Sequence, residues 1–259
     1  MRKIMFLAHL PQKPQDKERN ARRQEALRRY ASPDTELDLC FPEPEPGFGV
    51  NAVPDDLQHQ VTPWLVHALA TPGIVRRVVW AEQQGYDAVV QSNTFDCGVE
   101  AAREAVRIPV IGVTRATLHV AASLTDAIAM TTPLEELVAY AWRIVRSYHM
   151  ETLVKDIRSI GVYENAAQRR EEIVSRNIEV MREMVKETRA GALIPLGGAL
   201  IPTLVSPQEV EREVGVPVLN TNAIGIRFAE MCIDLGMTHT SEARPSIPPG
   251  YFPPIEYDS

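Results

Sequence analysis

The sequence predicts an α/β protein with two similar lobes, each built on a parallel sheet covered by helices. Apolar runs of strand length alternate with charged or amphipathic stretches of helix length along almost the whole chain, as is typical of parallel sheets. The strand–loop–helix–strand pattern of Gly85–Gly112 also returns in Gly191–Asn220. Both copies end in an apolar-Pro-Val-apolar strand. Duplication of one unit explains this similarity between the two stretches better than chance does.

In the first half of the chain, apolar runs predict the strands and turn residues mark where helices end. The run Lys3–Ala8 is closed by His9, and Gly85 ends a helix because glycine readily adopts the left-handed conformation found there. A Pro- and Gly-rich loop is predicted over Pro42–Pro54. The predicted strands are Lys3–Ala8, Glu36–Phe41, Ala88–Gln91 and Pro109–Val113, and the predicted helices are Asp16–Tyr30, Pro72–Gln84 and Gly98–Val106.

The second half of the chain repeats this alternation of strands and helices. Ser206 is predicted to cap a helix that has Pro207 at its first position. The tail from Pro245 is expected to lie irregularly on the surface or against a partner chain. A homo-oligomer is expected. The predicted strands are Ala127–Thr131, Asp156–Val162, Ala192–Leu196 and Pro217–Leu219, and the predicted helices are Pro133–Ser147, Ala167–Thr188, Ser206–Glu213 and Ala223–Leu235. Residues 1–113 plus 221–259 should form lobe 1, and residues 114–220 lobe 2.

Composition argues against several function classes. A net charge of −7 does not favour binding to nucleic acid or to an anionic membrane, which are themselves negatively charged. The three cysteines have neither disulfide nor zinc spacing, so a reducing, cytoplasmic location is expected. No glycine-rich nucleotide fingerprint and no histidine–carboxylate spacing occurs, so we expect no cofactor and no metal. No apolar run reaches the roughly 18 residues that span a bilayer.

Small polar side chains follow the predicted strand Ala88–Gln91. Ser92, Asn93 and Thr94 precede a helix start, where unpaired backbone N–H groups and the helix dipole suit an anion such as a carboxylate or enolate. Ordinary helix capping by Thr94 or Asp96 explains the same pattern equally well.

Cys97 stands at the same helix start. Either it is a reactive thiol with a lowered pKa, or it is a small packing residue of the core.

The second copy of the unit carries Gly197 and Gly198 in the equivalent loop. Glycines there let the backbone approach a ligand, although a tight turn needs them too. Thr221 and Asn222 follow the second Pro-Val strand, so they are predicted to reach the same carboxyl edge and to cap the next helix.

Three further residues are weaker candidates for the site. His9 ends the first strand and reaches a cleft or the surface. Thr114 and Arg115 lie just past Pro109–Val113, where Arg115 either adds a positive charge or points to solvent.

Several of these motifs together resemble the aspartate/glutamate/hydantoin racemase superfamily. Ser92–Thr94 is similar to its Cys-Asn-Thr motif, and Leu196–Pro202 to its Leu-Gly-Cys-Thr-His-Tyr-Pro motif. Asp96–Gly98 resembles hydantoin racemases, and so do Val216–Asn220, Ala229–Glu230, Leu235–Gly236 and Thr240–Ser241. Pro195–Pro202 together with Val216–Glu230 also resembles a subgroup often labelled hydrogenase expression protein. The resemblance implies two Rossmann-like lobes related by a pseudo-twofold axis, a cleft between them, and no cofactor.

The resemblance also implies two cysteines that flank the substrate, one removing the α-proton and the other returning a proton. This sequence departs from that pattern at both places. Ser92 occupies the position of the first cysteine, or Asn93 does in another register. Gly198 occupies the position of the second cysteine. A serine hydroxyl is a much poorer base than a thiolate, and glycine has no side chain. Simple racemisation by two cysteines is therefore not expected.

The leading prediction is a cofactor-independent enzyme that acts next to the carbonyl of a small carboxylate or cyclic carbonyl compound, by isomerisation, decarboxylation or one-sided proton transfer. The alternatives are a hydrolase with Ser92 or Cys97 as nucleophile, and a non-catalytic protein that binds a small ligand. Ser92 and Cys97 are the catalytic candidates. The predicted substrate-binding residues are His9, Asn93, Thr94, Thr114, Arg115, Gly197, Gly198, Thr221 and Asn222.

Overall fold

A computed structural model of the chain describes residues 1–13, 16–43, 63–163, 168–198, 200–239 and 252–256. Within these residues the chain forms seven strands and eight helices. The strands are β1 (Arg2–Leu7), β2 (Thr35–Cys40), β3 (Ala88–Gln91), β4 (Val110–Gly112), β5 (Ile128–Thr132), β6 (Val154–Ser159) and β7 (Ala192–Pro195). The helices are α1 (Lys17–Arg28), α2 (Pro63–Gln83), α3 (Val99–Ala105), α4 (Val113–Ala122), α5 (Glu136–Ser147), α6 (Arg170–Thr188), α7 (Pro207–Val214) and α8 (Thr221–Asp234).

The chain divides into two compact units, each with one parallel sheet. Unit 1 comprises Met1–Val113 and Gly225–Ser259, and unit 2 comprises Thr114–Ile224. The sheet of unit 1 has the order β2-β1-β3-β4, and that of unit 2 has the order β6-β5-β7. An isolated bridge joins Leu193 of β7 to Val218, which occupies the place of a fourth strand. Both sheets therefore share one topology, and the predicted fold class of two similar α/β lobes is confirmed.

Each unit has its own core. In unit 1, the consecutive residues Ile4–Leu7 of β1 are fully buried, as expected for a strand covered by helices on both faces. Met5 and Leu7 pack with the apolar side chains of α2 and α3. In unit 2, Ala129 and Leu193 pack with those of α6 and α7. Both sheets are thus central layers, so the strand ends are the places where polar side chains gather.

Two helices differ from the sequence predictions. Helix α2 begins at Pro63 instead of Pro72, which lies inside it. A proline there removes one backbone hydrogen bond, but the apolar face of the helix is buried in the core, and this burial outweighs the loss. Helix α4 was not predicted, because it follows β4 without any turn residue.

Other predictions were wrong in detail. The predicted strand Pro217–Leu219 forms only the bridge at Val218. Ser206 precedes α7 but makes no capping hydrogen bond, because its hydroxyl donates to the Gln208 side chain instead. The loop predicted over Pro42–Pro54 lies outside the described residues from position 44 onward.

The described part of the C-terminal tail, residues 252–256, lies against α2. The Gln83 side chain donates to the carbonyl of Pro253 at 3.2 Å and accepts from the N–H of Ile255 at 3.0 Å. Phe252 and Ile255 pack against the core of unit 1. This stretch therefore covers the protein's own helix.

Helix α8 contacts strands and loops of unit 1 at two places. The buried carboxylate of Glu230 accepts hydrogen bonds from the backbone and hydroxyl of Ser32 and from the hydroxyl of Thr35. Five residues before Glu230, Gly225 lies against the side chains of Val90 and Val113. This packing brings α8 close to the ends of β3 and β4. No helix among the described residues is long and apolar enough to cross a membrane.

Candidate functional site

The loop after β3 lies at the carboxyl edge of the unit 1 sheet. Because β1, β3 and β4 are parallel neighbours, their carboxyl ends meet at this edge, where open α/β sheets bind ligands. The N–H of Ser92 donates to the carbonyl of Leu7 at 2.9 Å, which continues the β1–β3 pairing into the loop. Ser92 is 8% exposed, so a ligand would contact it only at a small opening.

The loop is held by hydrogen bonds of its own side chains. The Oε1 atom of Gln91 accepts from the N–H of Asn93 at 2.8 Å, and the Oδ1 atom of Asn93 accepts from the N–H of Phe95 at 2.8 Å. The buried Nε2 atom of Gln91 has no hydrogen-bond partner among the described residues. Asn93 therefore shapes the loop, and Gln91, which the sequence prediction missed, offers an unused donor.

Helix capping does not explain the polar residues of this loop. The residue at the N-cap position of α3 is Gly98, which has a left-handed conformation (φ 72°) and no side chain that could cap the helix. The prediction that Thr94 or Asp96 is the N-cap residue of α3 is wrong, because Gly98 occupies that position, and both side chains are buried. The carboxyl group of Asp96 lies against Gly112, where an added Cβ would come within 2.5 Å of Asp96 Cγ. Gly112 is therefore required for this loop conformation.

The environment of Cys97 is that of a core residue. It is 4% exposed, and its thiol donates to the carbonyl of His67 at 3.4 Å. Burial raises the pKa of the thiol to about 12, and the nearby charge of Asp96 adds to this. The expectation of a lowered pKa is thus wrong, because desolvation of the thiolate outweighs any favourable helix dipole. The packing interpretation describes Cys97 correctly.

Two histidines meet beside this loop. The rings of His9, which follows β1, and His67, on α2, contact edge to face with centroids 5.9 Å apart. The ring of His67 also lies 5.8 Å from that of Phe95. Burial lowers the pKa of His9 to about 3 and that of His67 to about 4, so both rings are neutral at neutral pH. His67 was not singled out from the sequence, because it lies before the predicted helix and shows no metal-ligand spacing.

The glycine loop of unit 2 is bonded within itself. Gly197 has a φ of 96° and lies against the ring of Pro133, where an added Cβ would come within 2.7 Å. Its carbonyl accepts from the N–H of Leu200, and the carbonyl of Gly198 accepts from the hydroxyl of Thr203. These bonds are those of a tight turn. A ligand-binding role for Gly197 and Gly198 stays a prediction.

The first turn of α8 contains two buried polar atoms that lack partners among the described residues, Oγ1 of Thr221 and Oδ1 of Asn222. The predicted capping role belongs to another residue, since Oδ1 of Asn220 accepts from the N–H of Ala223. Buried polar atoms are normally hydrogen-bonded to protein or water. Thr221 and Asn222 are therefore free to serve a ligand or an ordered water.

Thr114 and Arg115 belong to the first turn of α4. Thr114 is completely buried. The guanidinium group of Arg115 lies 5.2 Å from the ring centroid of Tyr148, at the end of α5. Their predicted contact with substrate stays a prediction, as does the prediction that Ser92 and Gly198 face one cleft. Within the described parts of the chain, no three His, Cys, Asp or Glu side chains are grouped so as to hold a metal ion.

Known proteins resemble this chain in sequence and in fold. Residues 52–229 match the sequence profile of the Asp/Glu/Hydantoin racemase family. The hydantoin racemase of Pseudomonas sp. (strain NS671) is 31% identical over 172 residues, which cover 65% of this chain and 67% of that protein.

Two solved structures share the fold. The allantoin racemase of Pseudomonas fluorescens superimposes with a TM-score of 0.78 at 20% identity, covering 95% of this chain and 97% of that one. Unliganded arylmalonate decarboxylase superimposes with a TM-score of 0.57 at 20% identity, covering 90% and 93%. The sequence match over more than half of the chain is decisive, and the chain belongs to the Asp/Glu/hydantoin racemase family.

Proposed function

We propose that this protein is a cofactor-independent enzyme that forms an enolate-like state at the carbon next to a carbonyl group of a small carboxylate or cyclic carbonyl compound. Family membership supports the reaction class. In hydantoin, allantoin and arylmalonate, the compounds in the names of the similar proteins, the carbon to be changed adjoins a carbonyl group. Heterolysis at such a carbon leaves an electron pair that the carbonyl oxygen accepts.

The main support for a reaction other than two-cysteine racemisation is the lack of a thiolate in the loop after β3. Serine occupies position 92, and the thiol of Cys97 has a pKa of about 12, so it stays protonated at neutral pH. Removal of a proton on one face and its return on the other would need two ionisable groups. One-sided proton exchange, or decarboxylation followed by protonation, needs fewer and is therefore favoured.

The reaction we propose is balanced without any co-reactant. Either the C–H bond or the bond to a carboxylate carbon breaks, releasing a proton to a base or carbon dioxide, and the electron pair moves onto the carbonyl oxygen. A proton then returns to the carbon. The enolate oxygen would be stabilised by preorganised donors, for which we propose the hydroxyl of Ser92 and the unpaired Nε2 group of Gln91.

Deuterium exchange tests the proposal directly. The protein is incubated in D₂O with 5-methylhydantoin, allantoin or phenylmalonate, and proton NMR follows the C–H signal next to the carbonyl while released carbon dioxide is measured. We expect exchange or decarboxylation of at least one compound, and a loss of about 100-fold in Ser92→Ala. Ring opening without exchange would indicate the hydrolase instead. Binding with no chemical change would indicate a ligand-binding protein, and either result would overturn the proposal.

A further inference from the structure

Arg23 differs from the arginines around it. Arg19, Arg22 and Arg29, on or beside the same helix α1, are exposed and each contacts a carboxylate. The side chain of Arg23 is partly buried, with its guanidinium carbon 5.6 Å from the ring centroid of Phe6. Among the described residues, no carboxylate lies within ion-pair distance of it. Arg23 is thus a cation on the inner side of α1 without a described counter-ion.

The charge of Arg23 persists at neutral pH. Burial and, to a smaller extent, the positive charge of Arg19 lower its pKa to about 10, so the guanidinium group is still protonated at pH 7. A charge removed from water is costly unless an opposite charge or hydrogen bonds compensate it. An anion that binds next to Arg23 would therefore be stabilised more strongly than one at the exposed arginines.

Arg23 lies beside the strand that leads to the candidate site. Its partner ring, Phe6, lies in β1, and His9 follows that strand at the carboxyl edge of the sheet. Arg23 is close enough that its charge helps to lower the pKa of His9, after burial and the neighbouring His67. The side chain of Gln24 holds α1 in place by bonding to the backbone of β2. Arg23 therefore lies beside β1, and the rings of His9 and His67 meet where this strand ends.

We propose that Arg23 and His9 bind a carboxylate group of the substrate, with Arg23 supplying the opposite charge and the neutral imidazole of His9 supplying a hydrogen bond. This inference rests on the proposed function and narrows its substrate class. The substrate carries a carboxylate in addition to the carbonyl group next to the reacting carbon. A neutral cyclic compound would leave the charge of Arg23 uncompensated.

Two compounds with the same ring test this substrate class. Hydantoin-5-acetate carries a carboxylate, whereas 5-methylhydantoin is uncharged. Binding to the full-length protein is measured by calorimetry, and the ¹⁵N signals of the histidines are followed by NMR. We expect hydantoin-5-acetate to bind at least about tenfold more tightly and to shift the His9 signal. Arg23→Gln should remove the preference, whereas the control Arg22→Gln, on the exposed side of α1, should keep it.

The outcomes separate this inference from the proposed function. If hydantoin-5-acetate binds through Arg23 but no compound undergoes exchange or decarboxylation, the binding site stands and the proposed function fails. Equal affinity of the wild type for the two compounds, or equal weakening in Arg23→Gln and Arg22→Gln, overturns the inference whatever the activity. Should Arg23→Gln fail to fold, the wild-type affinities and the His9 signal decide the matter alone.

Discussion

Ser92 and Cys97 lie five residues apart in one loop, yet their surroundings predict opposite effects of substitution. Ser92 borders the sheet edge, so we expect Ser92→Ala to cost far more in turnover than in stability. Cys97 packs in the core and bonds to the carbonyl of His67, so Cys97→Ala should keep turnover within about twofold and lower the free energy of unfolding by about 1–2 kcal/mol.

Parallel measurements of turnover and urea unfolding on the two variants check this pair of predictions. Loss of turnover in Cys97→Ala, with Ser92→Ala unaffected, would restore the thiol as the reactive group and contradict the assignment.

His67 should make stability depend on pH. Burial lowers its pKa to about 4, from an ordinary value of 6.5 in the unfolded chain. Between these values the unfolded state binds more protons than the folded state. The contribution is therefore fully present above pH 6.5 and is lost as the pH falls toward 4, at up to about 1.4 kcal/mol per pH unit.

The variant His67→Asn should flatten the fall in unfolding free energy between pH 6.5 and 4.5. His149→Asn is a suitable control, because His149 is exposed and its left-handed backbone conformation (φ 57°) tolerates asparagine. If both variants show the wild-type slope in urea unfolding, His67 does not stay neutral in the folded protein.

At the scale of elements, the contact between α8 and the strands depends on one glycine. An added Cβ at Gly225 would come within 2.8 Å of Val113 Cγ1 and 3.0 Å of Val90 Cγ1. The stiff valine side chains cannot move away easily, so Gly225→Ala should destabilise the protein by about 1–3 kcal/mol despite the better helix propensity of alanine.

A double-mutant cycle checks the cause of this effect. Val113→Ala removes the closest methyl groups, so the combination with Gly225→Ala should be more stable than the sum of the single changes predicts. Additive effects in thermal unfolding would show that the glycine has another role.

The elements also show where hydrophobic periodicity fails to predict the bounds of strands and helices. Strand β3 was predicted with the bounds that the structure has, because a buried apolar run between a glycine and polar residues is a local signal. Helix α2 was predicted to begin nine residues too late, since a proline usually marks a helix start. The burial of Val66, His67 and Ala70 stabilises the first two turns of the longer helix.

At the scale of the whole molecule, the missing cysteines lead to a prediction about reaction type. The variant Ser92→Cys/Gly198→Cys should gain racemisation of 5-methylhydantoin, followed by circular dichroism, if the two loops share a cleft as the family resemblance implies. Asn93→Cys/Gly198→Cys is the matched variant for the other register. Each single-cysteine variant should show exchange without full racemisation, because one thiol serves one face. No gain in either double variant would contradict the shared cleft.

The sequence by itself determined the alternation of strands and helices, the duplicated topology, the family and the absence of cysteines at positions 92 and 198. These features depend on hydrophobic periodicity and on residue identity, which are local properties of the chain. The acidity of Cys97, the meeting of His9 with His67 and the buried charge of Arg23 were decided only by the tertiary structure. The physical reason is that desolvation and charge–charge interactions depend on neighbours contributed by elements far apart in sequence, which no local pattern encodes.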